Sequence, residues 1–210
     1  MVKLMKNVID KEGRNMYKFA RFVVQMFFNL FGRIKIFDKD KLPKEGGYLV
    51  ACTHTGWVDI LWLGLAIYPT PIHFMAKKEL FNNRLIAWLL TSLNAFPVDR
   101  ENPGPSAIKT PMRLIKEGKV VGIFPSGTRT QEDVPLKRGA VTIASYAKAP
   151  IVPAAYVGPN NFKEMFKRKK PRIIFGDPLH LNKDLPKKEA LDDLAEQLDN
   201  SLKELTDIIK

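Results

Sequence analysis

Residues 119–130 have the sequence KVVGIFPSGTRT, in which an apolar run ends at a Pro/Gly turn that carries one arginine. A short apolar run bounded by turn residues is typical of a strand that is buried on both faces. A second run of this kind, YLVACT at residues 48–53, ends immediately before His54. Open α/β sheets bind ligands beyond the carboxyl ends of their strands, so these strand ends are the first candidates for a functional site.

Strand-like and helix-like segments alternate along the rest of the chain, which indicates a layered α/β domain. Further strands are predicted within residues 32–38, 73–78, 95–100, 151–157 and 171–176. Helices are predicted within residues 59–68, 82–95, 105–118, 139–149 and 187–210. Pro111 lies inside the third helix and is expected to kink or split it, because proline lacks the N–H that a helix interior uses.

Residues 1–33 are interpreted as a helical element of their own, and residues 34–210 as the α/β domain. Residues 16–32, MYKFARFVVQMFFNLFG, are apolar over most of a helix surface, with Arg21, Gln25 and Asn29 along one narrow stripe. Such a helix suits a membrane interface, but packing on the domain and a tilted, shallow span are alternatives. The first residues lack a signal-peptide pattern, and the sequence contains no uninterrupted apolar run of about 18 residues.

The net charge of +12 over 210 residues predicts an anionic partner, which could be nucleic acid, an anionic membrane or an acidic protein. The basic run FKRKKPR at residues 166–172 comes without a nucleic-acid-binding motif, which favours lipid head groups. The single cysteine, Cys52, excludes an internal disulfide and indicates a reducing compartment. Because Cys52 lies in an apolar run, we expect inert packing rather than a nucleophile. No Cys/His set has zinc spacing, so no metal is expected.

His54 and Asp59 form the first candidate site. The histidine ends a predicted strand, and the aspartate begins the next predicted helix. A turn could fold the carboxylate onto one ring nitrogen, fix the tautomer and leave the other nitrogen free to accept a proton. A histidine at a strand end followed by a helix-capping aspartate is the structural alternative. His73 and His180 have no carboxylate at a useful spacing and are predicted to be bystanders.

The loop after the second strand is the other candidate site. Its Pro/Gly turn can face backbone N–H groups outward, Thr128 adds a hydroxyl, and Arg129 offers a planar fork of donors that suits phosphate. Asp99 and Arg100 also end a predicted strand, although a surface ion pair would explain them equally well.

Four blocks occur together, in this order: His-x4-Asp at residues 54–59, Phe-x-Val-Asp-Arg at 96–100, Phe-Pro-x-Gly-Thr-Arg at 124–129 and IVPAAYV at 151–157. In this combination the chain resembles the glycerolipid acyltransferase family, most closely its bacterial 1-acyl-sn-glycerol-3-phosphate (lysophosphatidic acid) acyltransferases. The blocks extend over about half of the chain.

The resemblance implies an α/β fold with a mixed sheet flanked by helices and an N-terminal hydrophobic or amphipathic helical element that anchors the protein to a membrane. It implies acyl transfer from acyl-CoA or acyl carrier protein to the sn-2 hydroxyl of lysophosphatidic acid, which gives phosphatidic acid. The resemblance implies no cofactor or metal for this reaction, and no nucleic acid as a partner. The expected location is the cytoplasmic face of the cell membrane, as a peripheral or monotopic protein on anionic phospholipid.

The resemblance also assigns roles to residues. His54 is expected to be the general base, and Asp59 to orient it. The substrate-phosphate-binding residues are expected to be Arg129, Thr128, Gly127, Lys77 and Arg100.

The chain departs from the family pattern at four places. Thr53 replaces the usual Asn, Gly56 replaces the usual Ser, and Ser126 replaces the usual Glu. Residues 81–90, FNNRLIAWLL, stand where a Pro-Phe-Phe-Gly-like turn is common. The loss of the carboxylate at position 126 predicts weaker activity than in a glutamate-bearing version. Another acceptor, such as glycerol 3-phosphate or a lyso-amino-lipid, and a non-catalytic module that binds anionic lipid are the alternative functions.

Overall fold

The computed structural model describes residues 22, 26, 34–54, 56, 58–99, 104–127, 133–166 and 170–210. The predicted N-terminal element lies outside the described residues, apart from Phe22 and Met26, which are helical and exposed. Within the described part of the chain, no helix has both the length and the apolar character needed to cross a membrane.

Strands and helices alternate as the sequence predicts. The strands are β1 (Lys35–Phe37), β2 (Tyr48–His54), β3 (Ile72–Lys77), β4 (Phe96–Val98), β5 (Val120–Gly127), β6 (Ile151–Val157) and β7 (Arg172–Phe175). The helices are α1 (Val58–Ile67), α2 (Arg84–Ser92), α3 (Ser106–Lys116), α4 (Asp133–Ala147), α5 (Phe162–Met165) and α6 (Lys187–Ile209). Each strand and helix predicted within residues 34–210 is confirmed. The short α5 and two 3₁₀ helices, Lys39–Lys41 and Lys78–Asn82, were not predicted.

The strands form one sheet in the order β1-β7-β6-β2-β5-β3-β4. Every neighbouring pair is parallel except β6 and β7, which makes the sheet mixed, as expected. The five strands from β6 to β4 therefore run in one direction. Their carboxyl ends lie along one side of the sheet, which we call the carboxyl edge.

The core lies on both faces of the sheet, and β2 shows why its sequence is continuously apolar. Val50 and Cys52 pack into a cluster with α1, whereas Leu49 and Ala51 pack into a second cluster with α3, α4 and α6. Because successive side chains of a strand point to opposite faces, a strand covered on both sides needs apolar residues throughout.

Of the two outcomes predicted for Pro111, a kink or a split, the split is wrong, since α3 continues through the proline. The proline is the sixth residue of the helix, so the missing N–H withdraws one hydrogen bond, from the carbonyl of Ala107. Pro111 is buried in the domain, as are Ala107, Leu114 and Ile115 of the same helix.

Candidate active site

The side chains of His54 and Asp59 meet at the carboxyl end of β2. His54 is the last residue of that strand, and Asp59 lies in the first turn of α1. The His54 Nδ1 atom lies 3.1 Å from each carboxylate oxygen of Asp59. The carboxylate is completely buried, whereas 31% of the histidine side chain is exposed. An Nδ1–H that donates to Asp59 leaves Nε2 as the nitrogen that can accept a proton.

The backbone of Gly56 fixes the aspartate from the other side. Its N–H donates to Asp59 Oδ2 at 3.0 Å, so the carboxylate closes the turn between β2 and α1. A Cβ at position 56 would lie 1.9 Å from the carbonyl oxygen of Asn160. This close approach requires glycine and accounts for one departure from the family pattern, because a serine would collide with the backbone that follows β6.

The register of the sheet places the second candidate loop next to the first. On adjacent strands, Thr53 pairs with Ser126, and His54 pairs with Gly127. The chain that leaves β5 at Gly127 therefore starts beside the histidine. Thr128, Arg129 and Arg100 lie outside the described residues, as does the side chain of Ser126, so their predicted roles stay predictions.

Lys77 lies on the carboxyl edge at the end of β3, with β5 between β3 and β2. It pairs in register with Val98 of β4, and its ammonium lies 3.9 Å from a carboxylate oxygen of Glu79. The next residue, Lys78, forms an ion pair with Asp99. Asp99 therefore forms an ion pair, as the structural alternative predicted, and Lys78 is a partner.

Thr53 and Tyr156 form two hydrogen bonds near the candidate site that were not predicted from the sequence. The Tyr156 backbone N–H donates to the Thr53 hydroxyl at 2.9 Å, which ties β6 to the residue before the histidine. The Tyr156 hydroxyl donates to the carbonyl of Pro159 at 2.9 Å, one residue before the Asn160 backbone that meets Gly56. Burial raises the pKa of Tyr156, so the hydroxyl stays protonated and keeps this bond.

Cys52, His73 and His180 are the side chains that the sequence predicts to take no part in the chemistry. Cys52 is buried, and burial raises the pKa of its thiol, so it is packing, as predicted. His73 lies 3.2 Å from the Val120 carbonyl through Nδ1, and burial lowers its pKa. His180 is exposed on the chain after β7. Among the described residues, no three His, Cys, Asp or Glu side chains come together as a metal site would require.

The arrangement is suited to removing a proton from a hydroxyl. A partly exposed imidazole is oriented by a buried carboxylate, beside the end of β5. The prediction of a tight Pro/Gly turn at residues 125–127 is wrong, since these residues belong to β5, which pairs with β2 as far as Gly127. The same order of groups, with a base held by a carboxylate, is used by enzymes that activate a hydroxyl for attack on a carbonyl.

Comparisons with known proteins identify related sequences and a similar fold. The chain is 56% identical over 192 residues to a 1-acyl-sn-glycerol-3-phosphate acyltransferase of Bacillus subtilis, covering 90% of this chain and 96% of that protein. It is 34% identical over 216 residues to the Streptococcus pneumoniae protein of the same name, covering 100% and 81%. The fold is similar to that of the 1-acyl-sn-glycerophosphate (LPA) acyltransferase PlsC from Thermotoga maritima, with a TM-score of 0.68 at 19% identity over 93% of this chain and 82% of that chain.

The family model described as Acyltransferase matches residues 33–157. This range includes His54, Asp59 and all five strands whose carboxyl ends lie at the carboxyl edge. This match spans more than half of the chain, and together with the near full-length Bacillus subtilis relative it shows that the chain belongs to the acyltransferase family.

Proposed function

We propose that this protein transfers an acyl chain from an acyl thioester to the sn-2 hydroxyl of lysophosphatidic acid and so produces phosphatidic acid. The observation that carries the proposal is the contact of His54 with the buried Asp59 at the carboxyl edge. The names of the Bacillus subtilis and Streptococcus pneumoniae relatives support the choice of acceptor.

In the proposed reaction, His54 Nε2 removes the proton of the acceptor hydroxyl as that oxygen attacks the thioester carbonyl carbon. A new C–O bond forms, the C–S bond breaks, and the imidazolium returns the proton to the departing thiolate. Asp59 holds the ring and stabilises its positive charge while the proton is there. A thioester is already activated, so a base and two oriented substrates suffice, and we propose that no metal or other cofactor takes part.

The acceptor's phosphate is proposed to bind along the carboxyl edge beside His54. Gly127 lies in register with the histidine and would offer its backbone N–H. Thr128 and Arg129 follow it directly in the sequence and would add a hydroxyl and a guanidinium fork. Lys77, two strands away, and Arg100 would add positive potential.

The donor is proposed to be acyl-CoA or acyl carrier protein, both of which are acidic, in keeping with the net charge of +12. We also propose that residues 1–33 form the membrane-interface element and residues 34–210 the acyltransferase domain. The protein would then be a peripheral or monotopic protein on anionic phospholipid at the cytoplasmic face of the cell membrane.

A panel of donors and acceptors tests this function. Purified protein in detergent is given a CoA or a carrier-protein thioester with lysophosphatidic acid, glycerol 3-phosphate or a lyso-amino-lipid, and thiol release and lipid product are both measured. The proposal expects phosphatidic acid from lysophosphatidic acid with at least one donor. If product forms only with another acceptor, that acceptor is the substrate and lysophosphatidic acid is not. If the protein binds liposomes but no donor and acceptor pair gives product, the result favours a lipid-binding module.

A further inference from the structure

Helix α2 presents an apolar surface to the outside of the domain. Leu85, Ile86, Trp88 and Leu89 are exposed, and we call these four side chains the α2 apolar face. Successive residues are turned by about 100° in a helix, so the four lie on one contiguous stripe. Leu85 is 75% exposed and Trp88 is 50% exposed. Contiguous apolar surface of this kind marks a contact with a partner or a membrane, whereas scattered apolar residues do not.

Side-chain hydrogen bonds stabilise helix α2 although its apolar face is exposed. The Asn83 side chain accepts from the backbone N–H groups of Leu85 and Ile86 at 3.0 and 3.2 Å, which caps the first turn. The Ser92 hydroxyl donates to the Trp88 carbonyl at 2.7 Å near the last turn. Both hydrogen bonds lie within α2 and its N-cap, so they stabilise the helix that carries the α2 apolar face.

Its position links α2 to the candidate active site. The chain leaves β3 at Lys77 on the carboxyl edge, forms the 3₁₀ helix Lys78–Asn82, and enters α2 immediately after Asn83. Leu80 of the 3₁₀ helix is 44% exposed, so it extends the apolar surface toward that edge. An acceptor with a long acyl chain would have to reach the carboxyl edge from a lipid surface.

The charges around α2 fit an anionic surface. The helix contains one cation, the exposed Arg84 in its first turn, and no acidic residue. Lys77 and Lys78 precede it, facing Glu79 and Asp99. A tryptophan and leucines on one side with a basic residue beside them is the composition of a helix that lies in a membrane interface.

We propose that the α2 apolar face inserts into the surface of an anionic phospholipid membrane and brings the carboxyl edge to the lipid from which the acceptor comes. This contact lies in the α/β domain and is additional to the one proposed for residues 1–33. The delivery of lipid to the carboxyl edge rests on the proposed function. The insertion of α2 does not, since it needs no turnover.

The test uses the full-length protein and vesicles of phosphatidylcholine with or without phosphatidylglycerol. Leu85→Glu should lower the partition coefficient into anionic vesicles about tenfold or more, since burial of one leucine side chain in lipid is lost. Arg84→Gln should lower it about fivefold, through loss of one cation near the surface. Ile208→Glu is the matched control, because Ile208 is 62% exposed on α6, and it should bind like the unaltered protein.

Trp88 supplies a second readout. Phospholipids with brominated acyl chains quench a tryptophan that enters the hydrocarbon, so Trp88→Phe should remove most of the quenching seen with the unaltered protein. If Leu85→Glu binds vesicles as the Ile208→Glu control does, and Trp88→Phe leaves the quenching unchanged, the proposal is overturned.

The other possible occupants of the α2 apolar face give different results, and each would overturn the proposal. A second copy of the chain predicts a dimer in sedimentation that Leu85→Glu converts to a monomer, with vesicle binding unchanged. A cover formed by the chain itself predicts that Leu85→Glu lowers the Tm by several degrees, with vesicle binding unchanged. Turnover of short-chain, water-soluble substrates is measured in parallel. If the unaltered protein has no turnover yet partitions through Leu85 and Trp88, the proposed function fails and the membrane contact stands.

Discussion

Replacing Gly56 with alanine tests whether the turn between β2 and α1 sets the geometry of the candidate active site. The added Cβ would lie 1.9 Å from the Asn160 carbonyl oxygen, 2.7 Å from its carbonyl carbon and 2.9 Å from its Cα. All three are backbone atoms, so no side-chain rotation can relieve the overlap. Either the turn or the segment after β6 has to move.

The size of that movement sets the expected effect. Contacts of a Cβ shorter than 3.0 Å essentially never occur, so the two backbones must separate by about 1 Å. The Gly56 N–H donates to the Asp59 carboxylate, and hydrogen bonds to charged groups contribute about 1.5–3 kcal/mol. A displacement of about 1 Å in a catalytic arrangement can reduce turnover about a hundredfold. We therefore expect kcat to fall about a hundredfold, with a smaller change in KM.

The assay is thiol release from a short-chain acyl thioester with lysophosphatidic acid, at a temperature well below the unfolding midpoint of the variant. Gly139→Ala is the matched control, because a Cβ there meets nothing within 4 Å, and it should retain full turnover. Unchanged kcat in a folded Gly56→Ala protein would refute the reasoning, since the turn would then have no part in placing Asp59.

Three further predictions concern other parts of the site and the sheet. Thr53→Val should lower the free energy of unfolding by about 1–3 kcal/mol in urea titrations, because the Tyr156 N–H loses its acceptor, whereas Thr53→Ser should retain it. Burial lowers the pKa of His73 below 6.5, so the unfolded chain binds more protons in acid than the folded protein does. The free energy of unfolding should therefore fall as the pH drops through 6.5. His73→Gln should make the free energy of unfolding depend less on pH in this range, and an unchanged slope would contradict the prediction. Ser126→Glu should raise kcat, because a carboxylate at this position would help to order the chain that follows β5. If kcat does not rise, the serine is not a cause of weak activity.

The sequence was most informative where the structure is local. The apolar runs that became β2 and β5 are buried on both faces, so their composition predicts both the strands and the sheet that contains them. His54 and Asp59 are separated by one turn at a strand-to-helix junction, so their contact could be predicted from spacing.

Contacts that depend on the order of the strands could not be predicted in this way. Thr53 and Tyr156 are 103 positions apart and meet only because β2 and β6 are neighbours in the sheet. The approach of Gly56 to Asn160 has the same origin. Periodicity identifies a strand or a helix but carries no information about its neighbours, which is also why the pattern of α2 predicts a helix without showing which side stays uncovered.

The most direct test of the proposed mechanism is the turnover of His54→Ala with short-chain, water-soluble substrates, beside the exposed-site control His180→Ala. A general base contributes about a hundredfold to ten-thousandfold, so we expect His54→Ala to lose at least about a hundredfold in kcat while His180→Ala retains its activity. If His54→Ala kept most of the turnover of the unaltered protein, the imidazole held by Asp59 would not be the base, and the proposed mechanism would be wrong.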